Sequence, residues 1–268
     1  EMRLFKDREE LKLMQRAADI SIEAHRAAMA VARPGIHEYE LQAALEHVFR
    51  RHDAEPAYSS IVGAGGNACV LHYRANRAQA KAGDLVLIDA GAEYRGYAAD
   101  ITRTFPVGGA FSREQRALHD LVCAAQAAAM AQARPGVAYE AGHEAAVETL
   151  TEGLLSLGLL KGTLKQNVAA GHYKRFYLHK TGHWLGLDVH DVGEYRLDGE
   201  SRLLEPGMVF TIEPGLYINP DDTSVAAKWR GIGIRIEDDV VVTKEGHKVL
   251  TDALPRSAEE TEALMAAA

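Results

Sequence analysis

The hydrophobic and polar residues of this chain begin with a helical pattern. Ahead of it, Asp7-Arg-Glu-Glu10 has the form of a capping box, which predicts the start of a helix. Ala32-Arg-Pro-Gly-Ile36 then interrupts the pattern, and a second helix is predicted from there to about His52. The apolar residues of the first helix recur at three- and four-residue spacing: Leu13, Ala17, Ile20, Ala24, Ala27 and Val31.

The same arrangement returns later in the chain. Ser112-Arg-Glu-Gln115 predicts a third helix, which stops at Ala133-Arg-Pro-Gly-Val137 and is followed by a fourth that runs toward Leu159. Each helical pair is followed by strand-like sequence, and residues 82–91 align with residues 206–215. Two similar halves of helices and antiparallel strands predict an α+β fold with an internal pseudo-twofold.

Composition narrows the class of protein. Hydrophobic residues make up 47% of the 268 residues and charged residues 25%, which is typical of a globular protein with a packed core. The net charge of -8 and the lack of Lys/Arg runs argue against a nucleic-acid partner. Cys69 and Cys123 are too few for a disulfide framework or a thiolate zinc site. With no apolar segment of membrane length and a charged start, we expect a cytoplasmic protein without a membrane partner.

Four carboxylates fall at notable places in the repeat. Asp89 aligns with Glu213, and a hairpin turned at Tyr94 and Arg95 would set Asp89 beside Asp100 on the neighbouring strand. Glu213 and Glu237 can form a matching pair in the second half. Paired anions are destabilising unless a cation lies between them or one is protonated. We therefore expect four carboxylates at repeat-equivalent places to form an oxygen-rich site for two divalent ions.

Histidines are the natural ligands to complete such a site. Four candidates stand in two short segments: His72, His179, His183 and His190. The segment around His179 and His183 lacks the Glu of an H-E-x-x-H helix, so we expect a loop that crosses the site. Residues 63–68 nominally fit a dinucleotide-binding pattern, but the strand-like residues 69–73 open no helix, so a turn is predicted there.

These residues together resemble the pita-bread metallopeptidases. The motifs that carry the resemblance are I-D-A-G at Asp89, A-D-I-T-R-T-F at Asp100, T-G-H-W-L-G-L-D-V-H-D-V-G at His183, T-I-E-P-G-L-Y at Glu213 and I-R-I-E-D-D at Glu237. They extend over essentially the whole chain and are most similar to Xaa-Pro aminopeptidases, with proline dipeptidases next. Lys180 departs from the pattern, since members of the family commonly have a small residue there.

The resemblance implies a dinuclear centre with five metal ligands. Asp100 and Glu237 would bridge both ions, Asp89 would complete one coordination shell, and His183 and Glu213 would complete the other. Manganese is the expected metal, with zinc or cobalt as alternatives. Glu213 would also act as a general base on the nucleophilic water.

The resemblance also implies groups that contact substrate. His72, His179 and His190 would be catalytic, by binding the scissile carbonyl, assisting the leaving proline nitrogen and stabilising the tetrahedral intermediate. Arg235 and Tyr217 would support substrate and ligands, with His72 and His190 also contacting the peptide.

The implied activity is hydrolysis of the Xaa-Pro bond at the N-terminus of a peptide with proline in second position. Proline dipeptidase activity is the alternative, methionine aminopeptidase is a weaker one, and a non-catalytic binding module is weaker still because all five ligand positions hold competent residues. Residues 1–268 would form one catalytic domain, without the N-terminal domain that the family usually carries. Whether the protein forms a homo-oligomer stays open.

Overall fold

A computed structural model describes residues 1–267. The helices are α1 Arg8–Val31, α2 Glu38–Arg51, α3 Arg113–Met130, α4 Tyr139–Ser156, α5 Leu164–Ala170 and α6 Ala258–Ala266. The strands are β1 Glu55–Pro56, β2 Ile61–Ala64, β3 Leu85–Asp89, β4 Ala92–Tyr94, β5 Tyr97–Ala98, β6 Thr102–Pro106, β7 Arg196–Leu197, β8 Glu200–Ser201, β9 Val209–Ile212, β10 Gly215–Tyr217, β11 Gly233–Arg235, β12 Asp238–Val242 and β13 His247–Val249. Short 3-10 helices lie at Gly65–Cys69, His172–Arg175 and Ala227–Trp229.

The predicted helix starts are confirmed. The side chain of Asp7 accepts hydrogen bonds from the main-chain amides of Glu9 and Glu10, and the Glu10 carboxylate accepts one from the amide of Asp7. Ser112 and Gln115 form the same reciprocal pair at the start of α3. These contacts satisfy amides that have no partner within the helix, so each cap fixes where its helix begins.

The two halves repeat each other in detail. After α1 the amide of Gly35 donates to the carbonyl of Ala80 at 2.7 Å, and after α3 the amide of Gly136 donates to the carbonyl of Leu204 at 2.9 Å. Both glycines have positive φ, at 93° and 78°, a conformation that favours glycine in these turns. The predicted duplication is therefore visible in the main-chain hydrogen bonds.

Each half has a sheet that carries candidate site residues. One sheet has the order β2-β3-β6 and the other the order β13-β12-β9, and all neighbouring strands are antiparallel. A single antiparallel bridge between Thr102 and Glu237 connects the two sheets at the pseudo-twofold axis. Helices α1 and α2 pack against the first sheet, and α3 and α4 enclose the core of the second.

The register of the first hairpin differs from the predicted one. The turn is centred on Arg95 and Gly96, both with positive φ, and Tyr94 pairs with Tyr97. Asp89 therefore lies opposite Thr102, and not opposite Asp100 as predicted. Because the error is two residues, Asp100 keeps its face of the strand and remains a diagonal neighbour of Asp89.

One other predicted element is wrong. Of residues 69–73, expected to be strand-like, Cys69 ends the 3-10 helix Gly65–Cys69 and residues 70–73 follow it as irregular chain. The expected turn at residues 63–68 is present as the end of β2 and this 3-10 helix. Within residues 1–267, no helix combines the length and the apolar character that a membrane crossing requires.

Candidate metal centre

A cavity of about 420 Å³ opens between the two sheets at the pseudo-twofold axis. The structure brings all five predicted metal ligands to its walls: Asp89, Asp100, His183, Glu213 and Glu237. The predicted substrate residues His72, His179, His190 and Arg235 line the same cavity, and the Tyr217 hydroxyl contacts two of them. Residues from both halves of the chain thus converge on one site.

Three of the predicted ligands lie close enough together to hold a metal ion. One donor atom from each of Asp100, His183 and Glu237 lies within 4.8 Å of the other two. His183 Nε2 is 3.3 Å from Asp100 Oδ2 and 3.7 Å from Glu213 Oε1. Its other ring nitrogen, Nδ1, lies 3.0 Å from the carbonyl of Trp184 and donates to it, so Nε2 is the atom directed at the carboxylates.

Asp89 and Asp100 share a hydrogen-bond donor. The Tyr58 hydroxyl lies 2.6 Å from Asp89 Oδ1 and 2.5 Å from Asp100 Oδ1. Burial is the main cause that raises the pKa of Tyr58, with the negative charges of Asp100 and Asp89 next. Tyr58 therefore stays protonated and can hold the two carboxylates together.

The four carboxylates are only partly repeat-equivalent. Asp89 and Glu213 do occupy matching places, since Asp89 lies opposite Thr102 while Glu213 lies opposite Glu237. The same register makes Thr102 the counterpart of Glu237, and Arg235 the counterpart of Asp100. The expected equivalence of Asp100 and Glu237 is therefore wrong by two residues, although both side chains reach the site.

Arg235 is the buried cation of the centre. Its guanidinium lies 2.5 Å from Asp89 Oδ2, 3.0 Å from Thr102 Oγ1 and 3.0 Å from the Tyr217 hydroxyl. Among residues 1–267, no other Lys or Arg lies within 4 Å of these four carboxylates. One guanidinium cannot neutralise four carboxylates that are buried or half-buried, so their full ionisation would leave the site with an excess of negative charge.

The three predicted substrate histidines differ in their surroundings. His179 uses both ring nitrogens within the protein: Nδ1 is 2.8 Å from the carbonyl of Lys180, and Nε2 is 2.8 Å from the Tyr217 hydroxyl. His72 and His190 are exposed at the mouth of the cavity, with the ring of His190 edge-on to His183 at 4.4 Å. The latter two are thus available to a bound molecule.

Charge and burial shift the protonation of the site. Burial raises the pKa of Asp89, raises that of Glu213 to about 7 and raises that of Glu237 well above its usual value. For His183, burial lowers the pKa, but Asp100 and Glu213 outweigh this effect and raise it to about 9. In the metal-free protein an imidazolium thus supplies part of the missing positive charge.

The donor set fits divalent metal ions. Carboxylate oxygens and one imidazole suit manganese and zinc, and buried anions with one cationic neighbour gain the most from added positive charge. The site could also hold a second ion, because Asp89 and Glu213 line the same cavity as the cluster formed by Asp100, His183 and Glu237 and offer further carboxylate oxygens.

Some residues that support the site had no signal in the sequence. Tyr58 and Thr102 contact the carboxylates from positions that no motif singles out. Glu38 is buried and accepts hydrogen bonds from the amides of Ala64 and Ala78, at 2.8 Å each, so it ties both ends of the loop that carries His72. These contacts join residues distant in sequence, and the structure is needed to see them.

Comparison with known proteins finds close relatives of this chain. The chain is 50% identical to a Xaa-Pro aminopeptidase of Escherichia coli (strain K12), over 100% of this chain and 60% of the relative. It is 38% identical to a Xaa-Pro dipeptidase of Homo sapiens, over 99% of this chain and 61% of the relative. The chain thus spans about 60% of the length of these curated relatives.

The three-dimensional comparison agrees. The structure of the Pseudomonas aeruginosa aminopeptidase PepP matches with a TM-score of 0.99 and 57% identity, over 100% of this chain and 61% of that one. An Escherichia coli aminopeptidase P variant in complex with substrate matches with a TM-score of 0.97 and 49% identity, over 100% and 60%. The predicted pita-bread fold is confirmed. A family model also matches residues 12–244, and this chain therefore belongs to metallopeptidase family M24.

Proposed function

We propose that this chain is the catalytic part of a dinuclear metal-dependent aminopeptidase that hydrolyses the Xaa-Pro bond at peptide N-termini. The observation that carries the proposal is the convergence of five competent metal ligands and two exposed histidines on one cavity. The names of the similar proteins support the proline specificity, since the E. coli relative is a Xaa-Pro aminopeptidase. The proposed domain comprises residues 1–268.

Asp89, Asp100, His183, Glu213 and Glu237 would hold the two ions, which we propose to be manganese. Two bound divalent cations supply Lewis acidity, which polarises a carbonyl and lowers the pKa of water. A zinc-substituted E. coli aminopeptidase P is among the matching structures, so zinc is the first alternative. The excess of buried negative charge around Arg235 is what supports metal binding in this chain.

Glu213 is the proposed general base. Its pKa of about 7 lets the carboxyl exchange a proton near neutral pH, and its position beside His183 places it at the reacting centre. Metal ions would lower this pKa, since a nearby cation favours the charged carboxylate. Glu213 could then take the proton of the attacking water and pass it on toward the leaving nitrogen.

The histidines at the mouth would act on the peptide. A proline nitrogen carries no hydrogen and must gain one as it leaves, so the site needs a proton donor there. His190 and His72 are exposed and can reach a peptide that enters between them. His179 would act with them through Tyr217, which it holds by a hydrogen bond, and Tyr217 in turn contacts Arg235.

The test is hydrolysis of matched peptides with added manganese. We expect cleavage of Xaa-Pro-Yaa and none of Xaa-Ala-Yaa, both for this chain and for a chain extended to the length of its relatives. Cleavage of Xaa-Pro dipeptides with sparing of tripeptides would identify a proline dipeptidase. Equal cleavage of the alanine peptides would refute the proline specificity.

A variant separates catalysis from metal binding. His190→Ala should lower kcat by about a hundredfold or more and leave the metal content unchanged, because the group acts in the transition state. His47→Ala, on the exposed side of α2, is the matched control and should keep the wild-type kcat. Unchanged turnover of His190→Ala would exclude a catalytic role for this side chain.

A further inference from the structure

A second cavity, of about 310 Å³, lies on the opposite side of the loop segment 180–182 from the metal centre. It is lined by residues of α3, α4 and β9, by this segment and by Tyr195, Arg196 and Leu204, and it shares only Lys180 and Gly182 with the lining of the first cavity. Its volume is at the lower end of the range of about 300–1,000 Å³ that is typical of small-molecule sites. The apolar part of its wall consists of Ala129, Tyr139, Leu204, Phe210 and Ile212.

The internal repeat explains why this space exists. The matching Ala-Arg-Pro-Gly segments place Gly142 of α4 where the first half has Leu41 of α2. Leu41 is completely buried and fills the corresponding volume of the first half. A Cβ at Gly142 would lie 3.6 Å from the carbonyl oxygen of Ala129 and 4.0 Å from its Cβ, which are ordinary contacts, so this position could accommodate a side chain that this half does not supply.

Such a glycine has a cost in stability. Glycine in a helix interior is unfavourable relative to alanine, and a missing buried side chain loses packing contacts. Both effects lower the stability of the protein at Gly142. The stability of α4 therefore does not explain why this position is a glycine or why the cavity beside it is present. An occupant of the cavity would supply the packing that Leu41 gives the first half.

Polar groups of the cavity are arranged at one end. His143 lines the cavity, and its Nδ1 is 2.8 Å from Thr181 Oγ1, so its other ring nitrogen is not used in this contact. Arg196 is engaged by Glu140 at 2.8 Å, so these two charges offset each other. Lys180 is exposed and has no acidic partner within 4 Å in the described part of the chain, so the net charge at this end is positive.

The cavity wall is also part of the metal centre. The carbonyl of Thr181 accepts the amide of Glu213 at 2.8 Å, and the carbonyl of His183 accepts the amide of Thr211 at 2.9 Å. A molecule that filled the cavity would press on the main chain that positions two proposed metal ligands. Binding there would be coupled to metal binding by these hydrogen bonds.

We propose that this second cavity is a binding site for a small aromatic carboxylate, separate from the peptide site. The aromatic body would pack against Tyr139 and Phe210, whose own rings are in edge contact at 5.7 Å, because aromatic rings favour edge or offset contacts with another ring. The carboxylate would lie at the polar end, paired with Lys180 and within reach of His143. The inference goes beyond the proposed peptidase function and does not depend on it.

The test uses 4-phenylbutyrate, with 4-phenylbutanol and 4-phenylbutylamine as neutral and cationic analogues. Isothermal titration calorimetry with the metal-loaded protein should give a dissociation constant of about 1 mM or tighter for the carboxylate. The alcohol should bind roughly three- to fivefold more weakly, because it lacks the ion pair with Lys180. The amine should bind more weakly than the alcohol.

Variants of Gly142 locate the site. Gly142→Leu should abolish binding by filling the cavity, whereas Gly142→Ala changes the helix in the same way, leaves the cavity open and should bind like the wild type. Thermal unfolding verifies that both variants are folded. Lys180→Met leaves the walls intact and should reduce binding of the carboxylate to the level of the alcohol.

Each contrary result overturns a defined part of the proposal. Undiminished binding to folded Gly142→Leu would place the ligand elsewhere, such as on the metal ions. Equal affinities for the three analogues, or an unaffected Lys180→Met, would refute the carboxylate preference. Absence of binding by all three to the wild type would refute the site itself. None of these results depends on peptide hydrolysis.

Discussion

Thr102 and Glu237 face each other across the pseudo-twofold axis, where the Thr102 hydroxyl donates a hydrogen bond of 2.5 Å to Glu237 Oε2. The amide of Glu237 returns a bond of 3.1 Å to the carbonyl of Thr102. These two residues hold the same place in their respective halves, but only one of them is a carboxylate. The hydroxyl therefore fixes the rotamer of a proposed metal ligand from the opposite half.

This contact predicts a loss of metal affinity in Thr102→Val. Removing the hydroxyl leaves Glu237 free to rotate, and supporting contacts of this kind typically change metal affinity by about 10–100-fold. Titration of metal-free protein with manganese measures the effect. Thr102→Ser keeps the hydroxyl and should retain the wild-type affinity; equal losses in both variants would point to packing and not to the hydrogen bond.

Removal of the metal should destabilise the protein. Four carboxylates that converge beside the single guanidinium of Arg235 should bind divalent ions, and an ion that binds only the folded state stabilises the folded protein. At a free metal concentration 100 times its dissociation constant this stabilisation is about 2.7 kcal/mol. Thermal unfolding with and without chelator measures it. In Asp100→Ala and Glu237→Ala the chelator should have little further effect, and an unchanged melting temperature of the wild type would contradict the metal centre.

Because of its buried histidine His25, the protein should lose stability at acid pH. His25 is fully buried in α1, and burial lowers its pKa to about 4. The folded protein thus favours the neutral ring, so the contribution of His25 to stability is present above pH 6.5 and is lost as the pH falls toward 4. Between these limits the loss for this one group is roughly 2–3 kcal/mol.

The equivalent position in the second half of the chain suggests a substitution that tests the role of His25. Gln126 of α3 corresponds to His25, and its side-chain amide donates to the carbonyls of Ile212 and Ile236, much as His25 contacts the carbonyl of Ala90 at 3.0 Å. Urea unfolding of metal-free His25→Gln at pH 7 and 4.5 should show a smaller loss than the wild type. His47→Gln, at an exposed site, is the control, and an identical loss in wild type and His25→Gln would exclude His25 as a cause.

Glu38 should control the loop that carries His72. Besides the amides of Ala64 and Ala78, its carboxylate accepts bonds from Asn67 at 2.9 Å and from the Tyr73 hydroxyl at 2.8 Å. Glu38→Ala leaves these donors without a partner and should cost about 3–5 kcal/mol of stability. Tyr73→Phe removes one bond and should cost about 1 kcal/mol.

Hydrogen exchange identifies where the effect of Glu38→Ala lies. The amides of Ala64 and Ala78 should lose protection more than those of the second half, and the KM for Xaa-Pro-Yaa peptides should rise while metal content is retained. Uniform loss of protection across both halves would indicate global destabilisation and no specific control of the loop.

The sequence revealed the architecture of the fold more readily than its register. Caps at Asp7 and Ser112 and the repeated Ala-Arg-Pro-Gly segments are local signals, and the elements they predict are present. The hairpin at residues 89–102 was misplaced because either pair of turn residues, Tyr94 and Arg95 or Arg95 and Gly96, could close it. In the structure, the positive φ angles of Arg95 and Gly96 place the turn at this pair, and that conformation is not visible in the sequence.

The candidate site, too, could be predicted from the sequence only in part. The types of its proposed ligands follow from motifs. The hydrogen bonds that Tyr58 makes to Asp89 and Asp100, and those that Glu38 accepts from the ends of the His72 loop, connect segments that are distant in the sequence. Their residues look ordinary in the sequence, because a tyrosine or a glutamate becomes a supporting group only through its neighbours in the fold.

Asp100 and Arg235 occupy equivalent places in the two halves but carry opposite charges, and this difference makes the two ends of the cleft unlike. A peptide has a beginning and an end, and a site with strict twofold symmetry would receive it equally well in either orientation. Here the axis carries an anion on one side and a guanidinium on the other, with Arg235 fastened to Asp89 and Tyr217. Two similar halves thus form a cavity with unlike ends, as the proposed removal of residues from only one terminus of a peptide requires.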